Sequence, residues 1–354
     1  MKIAKAIASA LCVTTTAAWS VATAATPATP GYSIVDRIPG TGKNWDYASV
    51  DAPAARLYLA QQGVTALDLK TNKITTGLVA GKTTHGVAPL GDGKVAVDDS
   101  TTKTVTVFKG ATGEVLATIP TAEYNPVNGM HALDALVLEP HSGLLAAING
   151  ESGLVLLIDI EQAKVIGSVP IGGKPEFAAA DGKGALYINV NRGKTNEVVA
   201  VDVSARKVVK HFPLKGCEDP TGLAYDRNDD LLISVCDNGV VKFLHREDGR
   251  EAASLTVGKG ADALMFDPQR RIVFVPAADS GTLSVIAVHS ATDIAVVQTL
   301  ATQVGTRLGA VDVSSGRVYL PTAKFGPPVP ASPYPSVVPG TFEILVVAPT
   351  SPYQ

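Results

Sequence analysis

The chain is short of aromatic residues, which make up 5% of its 354 residues, and it has only three cysteines. It also lacks a surplus of positive charge, since 30 Lys and Arg stand against 33 Asp and Glu. That balance does not favour nucleic acid or an anionic membrane as a partner, since both need a basic surface. After the first residues no apolar run approaches the roughly 20 residues that a spanning helix requires. No segment sustains a helical apolar period, which argues against a helix bundle. Signature motifs of catalysis are missing too: no G-x-S-x-G, H-E-x-x-H, C-x-x-C or complete P-loop occurs. "GTGK" at Gly40 to Lys43 lacks the upstream glycine and the following Ser or Thr. A Ser/His/Asp triad assembles in space and stays open, but nothing here points to one.

The first 24 residues read as an export signal. Lys2 and Lys5 form its positive end, an apolar stretch follows, and small residues at Ala22 to Ala24 suit cleavage. Cys12 raises the question of a lipid anchor, but the bulky Leu11 just before it argues against that processing. The expectation is a periplasmic or secreted protein with one domain over residues 25–354. Without the signal, 28 basic residues face 33 acidic ones, a net charge of −5. Only Cys217 and Cys236 then remain, and a pair of cysteines in an exported protein is a natural disulfide candidate.

What the chain does have is glycine, proline and small or β-branched residues, a composition that suits short strands joined by tight turns. It also repeats. "LDALVLEPHSGLLAAINGESGLVLLIDIEQAKVIGSVPI" and "PEFAAADGKGALYINV" with its continuation share one plan. A strand, an Asp/Gly/Pro turn, a second strand, a polar loop and two further strands follow in order. Registered just before the apolar core of each first strand, the repeats give Asp46, His85, Asp134, Glu176, Thr221, Asp262 and Arg307. The intervals are 39, 49, 42, 45, 41 and 45 residues. Four strands at that period are the signature of a β-propeller, and seven anchors imply seven blades. The last unit runs out of sequence after three strands. "GYSIVDRIP" at Gly31 to Pro39 can supply the fourth, joining both ends of the domain in one sheet and hiding an open edge.

These units resemble the YVTN-type repeats of the YncE-like β-propeller family. "KVIGSVPIGGKPEFAAADGKGALYINV" carries the closest likeness, and "HGVAPLGDGKVAVDD" and "GTLSVIA" match other parts of the pattern. The resemblance spans essentially the whole mature chain. It implies the all-β propeller fold and says little about activity, because propellers host lactonases, lyases, dehydrogenases and pure binding scaffolds.

In a propeller the first strand of each blade lines the central channel, so the seven anchors should ring one mouth. Four carboxylates, a histidine and an arginine converge there, with His131, Glu218 and Asp219 on adjoining loops and Lys82 and Lys174 nearby. Like charges so placed need compensation. One explanation is a solvated, self-neutralising lining whose acids bond neighbouring backbone. A second is a divalent cation, Ca²⁺, Mg²⁺ or Mn²⁺, held by Glu176, Asp134, Asp262 or His85, the histidine pulling the choice toward transition metals. A third is an organic ligand gripped by Arg307, a residue that could equally neutralise Asp46 and Asp262. The acidic "DRNDD" at Asp226 to Asp230 lacks the glycine and closing glutamate of a calcium loop, and reads as a hairpin turn on the opposite face.

Two long loops belong to the anchor side, Thr121 to Leu133 and the proline-rich Lys324 to Gly340. They offer Tyr124, Asn125, His131 and Tyr334 as rim contacts. Cys217 and Cys236 fall on that same face, where a bridge would stiffen the mouth beside Glu218 and Asp219. The leading expectation is an exported binding or interaction module for a small molecule or an envelope protein. The alternative is a metal-dependent lactonase- or lyase-type enzyme using the same mouth, and a structural envelope protein with no small-molecule site is the third reading.

Overall fold

A computed structural model describes residues 31–125, 127–327 and 336–351. The export signal and Tyr334 lie outside these residues. Seven four-stranded antiparallel sheets follow one another along the chain. Their first strands are Trp45–Asp51, Val87–Gly91, Ala135–Glu139, Lys174–Ala180, Pro220–Asp226, Met265–Asp267 and Ala310–Asp312, which begin blades one to seven. Each touches the first strand of the blade before and after it, and the last touches the first, so the ring is closed. The fold is the seven-bladed propeller expected from the repeat.

Burial explains the composition of the strands. A middle strand is covered by the blades on both sides, and Leu231–Cys236 is buried at every residue. Such strands read as nearly continuous apolar runs. The outermost strands meet solvent, and Glu251–Thr256 has no buried residue. At the far end of six of the first strands an acid turns the hairpin, as Asp51, Glu139, Asp181, Asp226, Asp267 and Asp312 each accept turn N–H groups. The recurring acid before each turn is therefore a structural device of the repeat. In the "DRNDD" turn, Arg271 pairs with Asp226 and Asp229, and Arg246 with Asp230, so the segment is a hairpin tied to its neighbours.

Blade seven is completed by Tyr32–Pro39, which pairs antiparallel with Glu343–Pro349. Tyr32 is also held by blade six. Its N–H donates to Gln298 Oε1 at 2.7 Å, Gln298 Nε2 donates back to Tyr32 O at 2.8 Å, and its ring meets Phe274 edge-on at 5.0 Å. The closure thus spans two blades.

Close approach of the first strands needs small residues at defined points. A Cβ on Gly86 would lie 2.6 Å from Leu136 N, and one on Gly222 would lie 2.3 Å from Leu264 N. Both glycines directly follow an anchor residue. The anchor-side ends are also irregular, with register shifts at Trp45/Ala48, Pro175/Ala178 and Pro220/Leu223. Asp46, Glu176 and Thr221 therefore sit in β-bulges, which release a side chain from the ladder's alternation.

Candidate functional site

The mouth encloses a cavity of about 390 Å³. Six carboxylates line it: Asp46, Asp134, Glu176, Asp219, Asp237 and Asp262. The basic groups in the lining are Lys174, Arg307 and His131. Asp46, Asp134, Glu176, Thr221, Asp262 and Arg307 are anchors of the repeat, so the register does bring them to one opening. The seventh anchor, His85, lies beside the cavity, buried behind Asp46. Glu218 is exposed and outside the lining, where its N–H donates to Asn238 Oδ1 at 3.3 Å. Lys82 is also outside it, its N–H bonded to Asp99.

The lining also includes Tyr47, which the repeat does not single out and which rests on Phe177. Tyr47 of blade one and Phe177 of blade four each follow an anchor, and their rings meet at 4.9 Å. The corresponding positions in blades two, three, five and six hold Gly86, Ala135, Gly222 and Ala263, which leave room for the two rings. Tyr47 packs against the cores of blades three and four on one side and of blades seven and one on the other. Burial, then the charges of Asp262, Asp134, Asp46 and Glu176, hold its phenol well above the usual range.

Each anchor acid faces a cation or an imidazole. Lys174 Nζ lies 2.7 Å from Glu176 Oε1, and Arg307 Nε lies 3.2 Å from Asp262 Oδ2. These pairs do not discharge the site. Burial, with Asp134 behind it, pushes the Glu176 pKa up to about 7 against the pull of Lys174. Burial likewise takes Asp262 up to about 6, with Arg307 opposing and Asp46 and Asp134 adding to the rise. Asp237 is raised by burial and by Asp279, Asp219 and Glu218. In all three the rise comes first from burial and then from the crowding of like charge.

The other side of the mouth is a histidine–carboxylate corner between blades two and three. His85 Nδ1 lies 2.6 Å from Asp46 Oδ2 and 3.8 Å from Asp134 Oδ1. His131 Nδ1 lies 3.0 Å from the same Asp134 oxygen, and the two imidazoles are 5.2 Å apart. Burial opposes charging of His85, but the Asp46 hydrogen bond and the charges of Asp46, Asp98 and Asp134 override it and push its pKa up to about 9. The Asp134 hydrogen bond raises His131. Asp98, absent from the sequence reading, is buried beneath and accepts the N–H groups of His85 and Gly86 at 2.8 and 2.9 Å. Its position on a second strand gives no signal in the register of first strands.

The loop that carries His131 is braced at several points. His131 N–H donates to Glu151 Oε1, Glu151 N–H returns to His131 O, and a Cβ on Gly129 would lie 2.5 Å from the Glu151 carboxyl. Asn125 is fully buried, and its Nδ2 donates to Ala132 O at 2.8 Å. Asn125 is a brace of the loop, and Tyr124 packs on the core of blades two and three. Neither lines the cavity, because the turn Ala122–Tyr124 lies against the outer strand Lys164–Pro170 of blade three and Asn125 is buried within the loop. Cys217 and Cys236 form the expected disulfide, with Cα atoms 5.4 Å apart, beside the cavity residues Asp219 and Asp237.

No protein-family model matches the chain, and no curated protein matches it by sequence. Solved structures do resemble it. A chain of hydrazine synthase from Kuenenia stuttgartiensis aligns over 80% of this chain and 92% of its own, with a TM-score of 0.67 and 13% identity. A chain of the mitotic checkpoint complex aligns over 90% of this chain and 95% of its own, with a TM-score of 0.66 and 13% identity. At that identity the likeness concerns architecture: the chain is a seven-bladed β-propeller with structural relatives of unlike function.

Proposed function

We propose that this is an exported, YncE-like β-propeller binding module whose anchor-side mouth takes a positively charged ligand. The observation that carries the reading is the excess of acid around one cavity. Six carboxylates face Lys174, Arg307 and His131 across about 390 Å³, with a tyrosine in the lining. That volume suits a small molecule. A cation entering there would restore charge balance and draw Glu176 and Asp262 into their ionised forms. Export is supported by the leader-like first residues and by the Cys217–Cys236 disulfide. Exposed Val127, Met130, Val304 and Val338 stand on loops of the same face, which suits an envelope protein presenting a basic side chain.

Melting curves test the reading. Putrescine and agmatine should raise the melting temperature, while citrate and phosphate should not, because only a ligand that binds the folded state stabilises it. Glu176→Gln should shrink the amine effect. Equal responses to amines and anions, or none to either, would remove this reading.

One observation keeps the metal-dependent lactonase- or lyase-type reading in play, namely the His85–His131–Asp134 corner. A cation there could polarise a substrate oxygen while a neighbouring imidazole or carboxylate moves the proton. Turnover of a lactone panel by zinc-loaded protein, abolished in His131→Ala, is its test.

A further inference from the structure

We propose that His85, His131 and Asp134 bind one divalent transition-metal ion of the zinc or cobalt type, with Asp46 orienting His85. The inference rests on the cation-binding reading above and names the cation's class. One donor atom from each of the three residues lies within 4.8 Å of the others. Two imidazoles and one carboxylate suit zinc, cobalt or nickel, whereas calcium and magnesium prefer all-oxygen sets. The donor set therefore differs from the oxygen-rich one expected from the register. Asp134 and His85 belong to it, His131 joins them, and Glu176 and Asp262 face Lys174 and Arg307 instead.

A second observation is independent of the cluster's composition. His85 is 8% exposed, its Nδ1 is taken by Asp46, and its Nε2 is buried with no hydrogen-bond partner among the described residues. A buried imidazole with one nitrogen tied to a carboxylate and the other unpaired is the form in which histidine commonly serves a metal. The supporting frame is rigid. Asp98 holds the backbone of His85, and Glu151 and Asn125 hold the loop of His131 and Asp134. The ligands thus come from two blades and are positioned before any ion arrives.

Sequence spacing conceals the site, because only His131 and Asp134 are neighbours in the chain while His85 arrives from the preceding blade. The geometry also leaves the cavity accessible on one side, since the His131 side chain is 24% exposed. An ion there would face the cavity and offer a charged wall to whatever occupies it.

The test uses the whole mature protein, stripped with a chelator and titrated with Co²⁺ and Zn²⁺. We expect one Co²⁺ per chain with visible d–d absorption, displaced by Zn²⁺ and unaffected by excess Ca²⁺ or Mg²⁺. His131→Ala and Asp134→Asn should each remove the absorption. Asp46→Asn should weaken binding about 10- to 100-fold, as loss of an orienting carboxylate does. Glu123→Gln, an exposed change on the same loop, should leave binding intact. Melting curves verify that each variant is folded, and His131→Gln replaces any variant that is not. Absence of saturable Co²⁺ binding, or undiminished binding in folded His131→Ala and Asp134→Asn, would overturn the proposal. Putrescine separates the two claims: if it still stabilises a protein that ignores Co²⁺, the metal site fails and the cation-binding mouth stands. If neither acts, both fail.

Discussion

Nδ1 of His85 and Oδ2 of Asp46 lie 2.6 Å apart, although 39 residues of chain and a blade boundary separate them. The backbone repeats the connection, since Tyr47 N–H donates to His85 O at 3.1 Å. Two neighbouring blades are therefore joined at the mouth by both a side-chain pair and a main-chain bond. The His85 side chain is 10% exposed, so loss of its partner leaves a polar group in a poor solvent environment.

Asp46→Asn should accordingly destabilise the fold by about 1–3 kcal/mol, the cost of leaving a buried polar group imperfectly paired. Urea unfolding of the single variants and of Asp46→Asn with His85→Gln isolates the coupling. A double variant whose loss equals the sum of the singles would show that the pair contributes nothing of its own.

Buried Asp98 and His85, raised to about 7 and about 9, lower the stability of the metal-free protein as pH rises, and so do Glu176 and Asp262. The folded pKa values of Glu176 and Asp262, about 7 and about 6, stand above the ordinary 4.5 and 3.8, so the folded state holds more protons between those limits. Their contribution is then complete below the ordinary values and is lost as pH rises through the folded ones. Lys174, Asp134 and Asp262 face Glu176, and Arg307, Asp46, Asp134 and Asp237 face Asp262. The melting temperature should fall from about pH 5 to about pH 9, and the slope should be shallower in Glu176→Gln. A slope unchanged by that substitution would exclude Glu176 as one of its sources.

The disulfide closes a loop with a sequence separation of 19. Chain-entropy reasoning assigns such a loop about 3 kcal/mol, and Cys217→Ser with Cys236→Ser should lose roughly that amount in denaturant melts. Intact mass after alkylation of the unreduced, denatured protein provides an independent check. Two modified thiols there would contradict the bridge.

Ring closure is tested through Gln298, whose amide accepts from and donates to the main chain of Tyr32. Gln298→Ala removes both bonds and should cost about 1–3 kcal/mol, with faster hydrogen exchange in Tyr32–Pro39. Protection of that strand equal to the wild type would place the strength of the closure in its pairing with Glu343–Pro349 alone.

The aromatic pair makes a different demand. Tyr47 and Phe177 bury their rings against each other across the channel. Phe177→Ala should destabilise by about 3–5 kcal/mol if it were a full core residue, and by less here because the ring is only partly buried. Tyr47→Phe keeps the ring and removes the hydroxyl from among the acids, so it should raise stability or leave it unchanged. A large loss in Tyr47→Phe would mean that the hydroxyl is held by the acids rather than crowded by them.

Much of this architecture was legible because a propeller repeats its local rules. The spacing of Asp46, His85, Asp134 and their counterparts reports strand length and turn chemistry, which depend on neighbours in the chain. The same holds for the closing strand at Gly31 to Pro39 and for the two cysteines, which strand direction places on one face. The convergence of the anchor carboxylates followed directly from that register. Asn125 misled because a polar residue in a long loop looks like a rim contact, while the structure buries it fully as a brace.

The sequence by itself determined the blade count, the closure, the disulfide and the acidity of the mouth, since each follows from periodicity, strand direction and residue type. Tertiary structure decided which acid meets which cation, that His131 turns toward His85 and Asp134, and that Tyr47 in the cavity lining reaches Phe177. These contacts join positions far apart in the chain. They depend on the curvature of the ring and on bulges that redirect side chains, neither of which leaves a local pattern in the order of residues.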